Sequence, residues 1–214
     1  MSINDLRNRR RMLRFLRAVG KKILEIQDLS AAETLSCQGN QVHLQSLIDE
    51  EWLNEMALMA SRTPCGSFVE VGVYKGGSAQ YLYRVAQEQK RTLHLFDTFT
   101  GIPCRGNLDR HQVGDFSDVD INELKTAMPG AIFHIGIFPQ TMTDAVTDIA
   151  FIHADVDQYD SQKAINKMLV PRLVKGGIMI IDDYFLLRGI HQAIDEDFFG
   201  RIHMNGARPF VMRY

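Results

Sequence analysis

The sequence predicts an α/β fold, doubly wound about a mostly parallel sheet, with an antiparallel C-terminal edge strand and helices at the N-terminus. Three observations carry this expectation. Two apolar runs, Ile149-Ala-Phe-Ile-His-Ala154 and Gly177-Ile-Met-Ile-Ile181, suit strands buried on both faces, and each ends abruptly in aspartates. Strand and helix patterns alternate through the middle of the chain, as in successive parallel βαβ units. The tail, residues 201–214, sets Asn205-Gly206 between two short strand candidates, which is a hairpin signal.

The elements follow in order. Residues 5–27 interleave Arg10, Arg14, Arg17 and Lys21 with Leu13, Leu16 and Leu24 at roughly helical spacing. This basic amphipathic segment reads as a solvated helix on the domain or on a second subunit, or as a contact to an anionic membrane surface or polyanionic substrate. A helix over residues 46–61 leads into the core, so that residues 1–62 form a helical segment packed on a core of residues 63–214. Strand one covers residues 67–73, with a helix over 78–89; strand two covers 92–96. A polar loop, 98–117, precedes a helix near 119–128 that Pro129-Gly130 ends. Strand three covers 131–135, and a short helix is expected over 141–146. Strands four and five are the two apolar runs, joined by a crossover helix over 161–173. A last helix covers 188–199.

Composition narrows the function classes. With 214 residues, 45% hydrophobic content and a formal charge of −2, one globular domain is expected, without the basicity of a nucleic-acid binder. Cys37, Cys65 and Cys104 are odd in number and lack zinc-type spacing, which argues for a reducing compartment. No stretch has membrane-spanning length or signal-peptide character, so the cytoplasm is expected.

The chemistry concentrates at strand ends, where open α/β sheets bind ligands. Asp155 and Asp157 follow strand four; Asp182 and Asp183 follow strand five. Acids converging there repel one another unless a cation or shared proton offsets the charge, which points to a metal site. Capping explains one aspartate pair, but not so many acids at one sheet edge. Strand one runs into Gly72, Gly76, Gly77 and Ser78, a turn that allows close backbone approach to a ligand. Glu70 lies inside that apolar strand and needs a partner. Asp97 ends strand two, where a carboxylate can accept ribose hydroxyls.

Four blocks together resemble class I S-adenosylmethionine-dependent O-methyltransferases of the macrocin O-methyltransferase-like family, which modify sugars. They are Glu70-Val-Gly-Val-Tyr-Lys-Gly-Gly77, Phe96-Asp-Thr-Phe-Thr-Gly-Ile-Pro103, Asp155-Val-Asp-Gln-Tyr-Asp-Ser161 and Gly176-Gly-Ile-Met-Ile-Ile-Asp-Asp-Tyr184. The helix Gly189-Ile-His-Gln-Ala-Ile-Asp195 adds to the likeness, which spans residues 66–199. The resemblance implies a Rossmann-like methyltransferase fold and S-adenosylmethionine as methyl donor. It places Glu70, Gly72, Gly76 and Ser78 at the methionine part of that cofactor and Asp97 at its ribose. It implies a magnesium-type ion (magnesium, manganese or calcium) on Asp155, Asp182 and Asp183, and a saccharide hydroxyl in a glycan, glycolipid or natural product as acceptor.

A sugar hydroxyl is a poor nucleophile until it loses its proton, so a base is needed. Asp157, from the same strand end as Asp155, is the first candidate, and His111 in the loop the second. His153, inside an apolar strand, reads as a core histidine. His191, Tyr159 and Tyr184 read as core or supporting residues as readily as substrate contacts. A catechol-type acceptor would serve the same ion, and a non-catalytic binding protein on this fold is the reading from a different class. The compact chain leaves a homodimer, with one subunit covering the other's site, open.

Overall fold

The computed structural model describes residues 44–206 and 208–214. The basic segment 5–27 and Cys37 lie outside the described residues. The elements, in chain order, are α1 Glu50–Ser61, β1 Ser67–Val71, α2 Ala79–Glu88, β2 Leu93–Asp97, α3 Ile121–Ala127, β3 Ile132–Ile135, β4 Ile149–Ala154, α4 Tyr159–Met168, β5 Leu173–Ile181, α5 Arg188–Phe198, β6 Ile202–Asn205 and β7 Arg208–Met212. The seven strands form one sheet in the order β3-β2-β1-β4-β5-β7-β6. β1 to β5 pair in parallel, and β7 pairs antiparallel with both β5 and β6. The doubly wound sheet with an antiparallel C-terminal edge is therefore present. Among the described residues no helix is long and apolar enough to cross a membrane.

Alternate strand residues feed two cores. Phe68, Leu95, Phe151, Ile178 and Ile180 pack beneath α1 and α2; Val69, Phe96, Ile152, Met179 and Ile181 pack against α4 and α5. Every residue of β4 is buried, as its continuous apolar run requires. α1 begins where Asp49 accepts a hydrogen bond from the Trp52 amide, and it turns Trp52, Leu53, Met56, Ala57 and Ala60 inward.

One expected element is absent. Residues 141–146 form separate turns, closed by Met142 to Pro139 and Val146 to Thr143 backbone bonds, instead of a helix. Thr141, Thr143 and Val146 are β-branched and favour helix weakly, and Val146 is fully buried as an isolated anchor.

β2 and β3 carry a histidine pair. His94 Nδ1 lies 3.0 Å from His134 Nε2, and His134 stacks on Phe96 with ring centroids 4.0 Å apart. Burial, then the neighbouring His134, pushes the His94 pKa down to about 4; burial lowers His134 too. The folded pKa lies below the unfolded value, so the unfolded chain binds more protons between about pH 6.5 and 4. Stability from this pair is fully present above that window and is lost as pH falls through it, by about 2–3 kcal/mol for His94. Denaturant unfolding of the protein and of His94→Leu at pH 7.5 and 4.5 checks this. The variant should lose less stability on acidification, and an equal loss in both defeats the assignment.

Candidate functional site

The row of residues beyond the central pairings builds the site. Glu70 pairs with Leu95 and with His153, His153 with Ile180, and Ile180 with Phe210. Two residues further towards the site, the same row reads Asp97, Gly72, Asp155, Asp182, Arg208. The ladder continues into it, with Gly72 N bonded to Phe96 O, Asp155 N to Val71 O and Asp182 N to Ala154 O, each at 2.9 Å. A cavity of about 370 Å³ runs over Asp97, Gly72, Asp155 and Asp182 and joins the loop after β1 to the acids after β4 and β5.

At the loop end, the structure assigns distinct tasks to the residues singled out above. Asp97 Oδ2 accepts hydrogen bonds from the Val73 and Tyr74 amides (2.7 and 2.9 Å), and Oδ1 accepts one from Phe99 N (2.7 Å). Tyr74 and Phe99 both have left-handed backbones, with φ of 48° and 55°. Asp97 thus holds two conformations that side chains disfavour, and only part of its accepting capacity faces the cavity. Gly72 lines the cavity, with φ +87°, and a Cβ there would lie 1.9 Å from the Asp155 carbonyl oxygen. Gly76 packs away from the cavity, against Leu44, Leu124 and Met128.

Glu70 is enclosed beneath the loop rather than on the cavity wall. Its Oε1 accepts from Ser78 Oγ (2.5 Å) and lies 2.7 Å from His153 Nδ1. Glu70 and His153 are fully buried. Ser78, committed to Glu70, makes no side-chain cap for α2. His153 is a core residue, although its Nε2 and Glu70 Oε2 lack hydrogen-bond partners among the described residues.

At the acidic end, Asp155, Asp182 and Asp183 each present an oxygen within 4.8 Å of the others. Asp183 reaches the group through a left-handed turn, φ 50°, that directs the chain away from β5. Burial first, then Asp182 and Asp157, pushes the Asp155 carboxyl well above the carboxylate range. Burial and Asp182 raise Asp183 as well. Close, partly desolvated carboxylates are what a hard divalent ion neutralises, and an all-oxygen donor set suits magnesium, manganese or calcium. The residues present therefore fit such an ion.

The two base candidates prove to be neighbours. His111 Nε2 lies 3.5 Å from Asp157 Oδ1, and His111 Nδ1 lies 3.5 Å from Asp115 Oδ2. Burial raises Asp157 to about 6 against the opposing pull of His111. Loop 98–117 delivers His111 because it is clamped to the sheet. Asp109, itself buried, accepts from Gly106 N (2.7 Å) and from Tyr159 N (2.9 Å), the first residue of α4. It caps that helix in place of Gln158, whose side chain donates to the Cys104 carbonyl instead. Tyr159, Tyr184 and His191 are occupied along α5: Tyr159 donates to Glu196, Tyr184 donates to Asp195, and His191 Nε2 lies 3.2 Å from Asp195.

Two site residues were missed by sequence reasoning. Asp109 lies in the polar loop 98–117, and its capping partner lies fifty residues away. Arg208 bonds Asp182 through Nη1. The signal was the Asn205-Gly206 turn, which fixes where β7 starts but not which strand it joins.

The comparisons with known proteins agree with this geometry. A model of the macrocin-O-methyltransferase (TylF) family matches residues 50–203. The chain is similar to the 8-demethyl-8-(2,3-dimethoxy-alpha-L-rhamnosyl)-tetracenomycin-C 4'-O-methyltransferase of Streptomyces olivaceus, at 31% identity over 56% of this chain and 53% of that protein. It is also similar to the demethyldecarbamoylnovobiocin O-methyltransferase of Streptomyces niveus, at 27% identity over 61% of this chain and 57% of that protein. The chain thus spans little more than half the length of these curated relatives. Among solved structures, the O-methyltransferase NovP shares the fold with a TM-score of 0.68 and 23% identity, over 81% of this chain and 83% of that one. The family match covers most of the chain and contains the glycine loop, Asp97 and all four strand-end aspartates, so the chain belongs to the macrocin O-methyltransferase family.

Proposed function

We propose that the protein transfers a methyl group from S-adenosylmethionine to a hydroxyl of a saccharide-containing acceptor, with a divalent ion held by Asp155, Asp182 and Asp183. The observation that carries this reading is the one cavity that joins the loop of residues 72–78 and Asp97 to the four aspartates. A donor seated on the loop and an acceptor at the acids would lie in the same enclosure, as in-line transfer needs. S-adenosylmethionine supplies an electrophilic methyl on a sulfonium, and a bound magnesium-type ion supplies a Lewis acid that lowers the pKa of a hydroxyl.

The chain's own residues do the rest. The Gly72 turn lines the cavity where the donor would sit, and Asp97 keeps Tyr74 and Phe99 in their turns while its Oδ1, which the Thr98 hydroxyl approaches at 3.4 Å, would meet a ribose hydroxyl. Asp157 takes the acceptor proton: its carboxylate lines the cavity two residues from Asp155 and stands beside His111. His111 is fixed by Asp115 and by the clamp through Asp109. The name of the Streptomyces olivaceus relative specifies an acceptor that carries a rhamnosyl group, which supports a saccharide over a catechol.

Methyl transfer from labelled S-adenosylmethionine to a panel of glycosides and catechols, with magnesium or excess chelator, tests the reading. Glycosides should be methylated only with the ion present, and Asp157→Asn should lower kcat by about 10²-fold or more with donor binding retained. Methylation of catechols alone would replace the saccharide reading. No binding of S-adenosylmethionine by calorimetry would favour a non-catalytic protein on this fold.

A further inference from the structure

The strand register sets a cation against the acidic group. Asp182 and Arg208 continue the β5–β7 pairing as cross-strand partners, so their side chains share a face. Arg208 Nη1 bonds Asp182 Oδ1, and the guanidinium lies 4.8 Å from the centroid of the Trp52 ring on α1. Trp52 is buried, so the arginine is gripped by a rigid aromatic surface on one side and the carboxylate on the other. Among the described residues, Arg208 is the one arginine or lysine in ion-pair distance of any of the four strand-end aspartates. Glu55, one turn beyond Trp52, is also within its electrostatic reach: burial and then Glu51 raise the Glu55 pKa, and the guanidinium offsets part of that rise.

We propose that Arg208 is a positioning residue that serves as the site's resident counter-cation, pairing with Asp182 until a divalent ion displaces it. The inference rests on the reading of Asp155, Asp182 and Asp183 as an ion site. Clustered carboxylates without an ion repel one another, and Arg208 offsets part of that repulsion, so the acids stay in place before loading. An arriving ion is a like charge to Arg208 and competes with it for Asp182. Glu55 and the Trp52 ring give the displaced guanidinium a place to remain. The ion is consequently held less tightly than the three carboxylates alone would hold it, and it exchanges.

The experiment is calorimetric titration of the full chain with Mn²⁺ alone, comparing the protein with Arg208→Gln and Arg208→Lys. Arg208→Gln should bind Mn²⁺ about tenfold more tightly, because the competing charge is gone, while Arg208→Lys, which keeps the charge, should stay within about threefold of the parent. The Tm of ion-free Arg208→Gln should fall, and the rise in Tm on adding Mn²⁺ should exceed that of the parent. Equal or weaker Mn²⁺ binding by Arg208→Gln overturns the inference while leaving the ion site standing. If Arg208→Gln does not fold, Arg208→Met, which removes the charge but keeps an unbranched chain against Trp52, should also tighten Mn²⁺ binding, and unchanged affinity there overturns the proposal. Absence of Mn²⁺ binding by the parent is a different failure: it overturns the ion reading, and this inference with it.

Discussion

Asp182→Ala is expected to abolish ion-dependent methyl transfer while leaving S-adenosylmethionine binding largely intact. Asp182 supplies one corner of the three-carboxylate group and is the most enclosed of its members. With it gone, two acids remain, both raised first by burial, and the Arg208 guanidinium is left beside them without its partner. Loss of several kcal/mol of charge stabilisation at the reacting hydroxyl corresponds to a fall in kcat/KM of roughly 10³-fold. The donor side should be spared, because Asp97 and the loop of residues 72–78 make their hydrogen bonds among β1, β2 and their own backbone. Turnover measured with and without excess chelator, beside calorimetry with S-adenosylhomocysteine, separates the two halves. Activity that survives both the substitution and the chelator would remove the ion from the mechanism. Equal loss of cofactor binding would mean that the two halves do not act separately.

The sequence made the central sheet legible because strands buried on both faces are written as unbroken apolar runs. Ile149–Ala154 shows this plainly, and the abrupt change to aspartate marks its end without reference to any neighbour. The same logic exposed Asp97, Asp155 and Asp182, since each is the acid that follows such a run directly, with Asp183 next to Asp182. What escaped is set by pairing across long sequence separations. Whether Arg208 meets Asp182 depends on β7 lying between β5 and β6, a choice made by the whole sheet and not by the residues around Asn205-Gly206. The Asp109 bond to Tyr159 likewise exists only because loop 98–117 folds back over the end of β4. His94 and His134 carry no local sign of meeting, because they belong to separate strands brought into register by β2–β3 pairing. The absent helix over 141–146 is the converse case, in which an apolar pattern too short to propagate a helix was settled by burial of Val146 alone.

Gly72→Ala should destabilise the protein far more than an ordinary glycine substitution, and the reason lies in how the two halves of the site touch. The backbone at Gly72 has φ +87°, and an added Cβ would lie 1.9 Å from the Asp155 carbonyl oxygen and 2.7 Å from its carbonyl carbon. Neither contact involves a side chain that could turn aside. Relief requires β1 and the end of β4 to separate where Gly72 N and Asp155 N still make ladder bonds to Phe96 O and Val71 O. A loss of about 4 kcal/mol or more is expected, a large share of the stability of a domain this size. Gly114→Ala is the control: φ is +88°, but nothing lies within 4 Å of the new Cβ, so backbone strain alone acts and about 1 kcal/mol should be lost. Denaturant unfolding of both variants measures the difference, and a Gly72→Ala loss no greater than that of Gly114→Ala would refute the contact. Any Gly72→Ala protein that folds should lose donor binding and Mn²⁺ binding together, since moving the Asp155 backbone moves its carboxylate as well. Asp182→Ala divides the site into its two functions, and Gly72→Ala should show that one backbone contact holds them at a common distance.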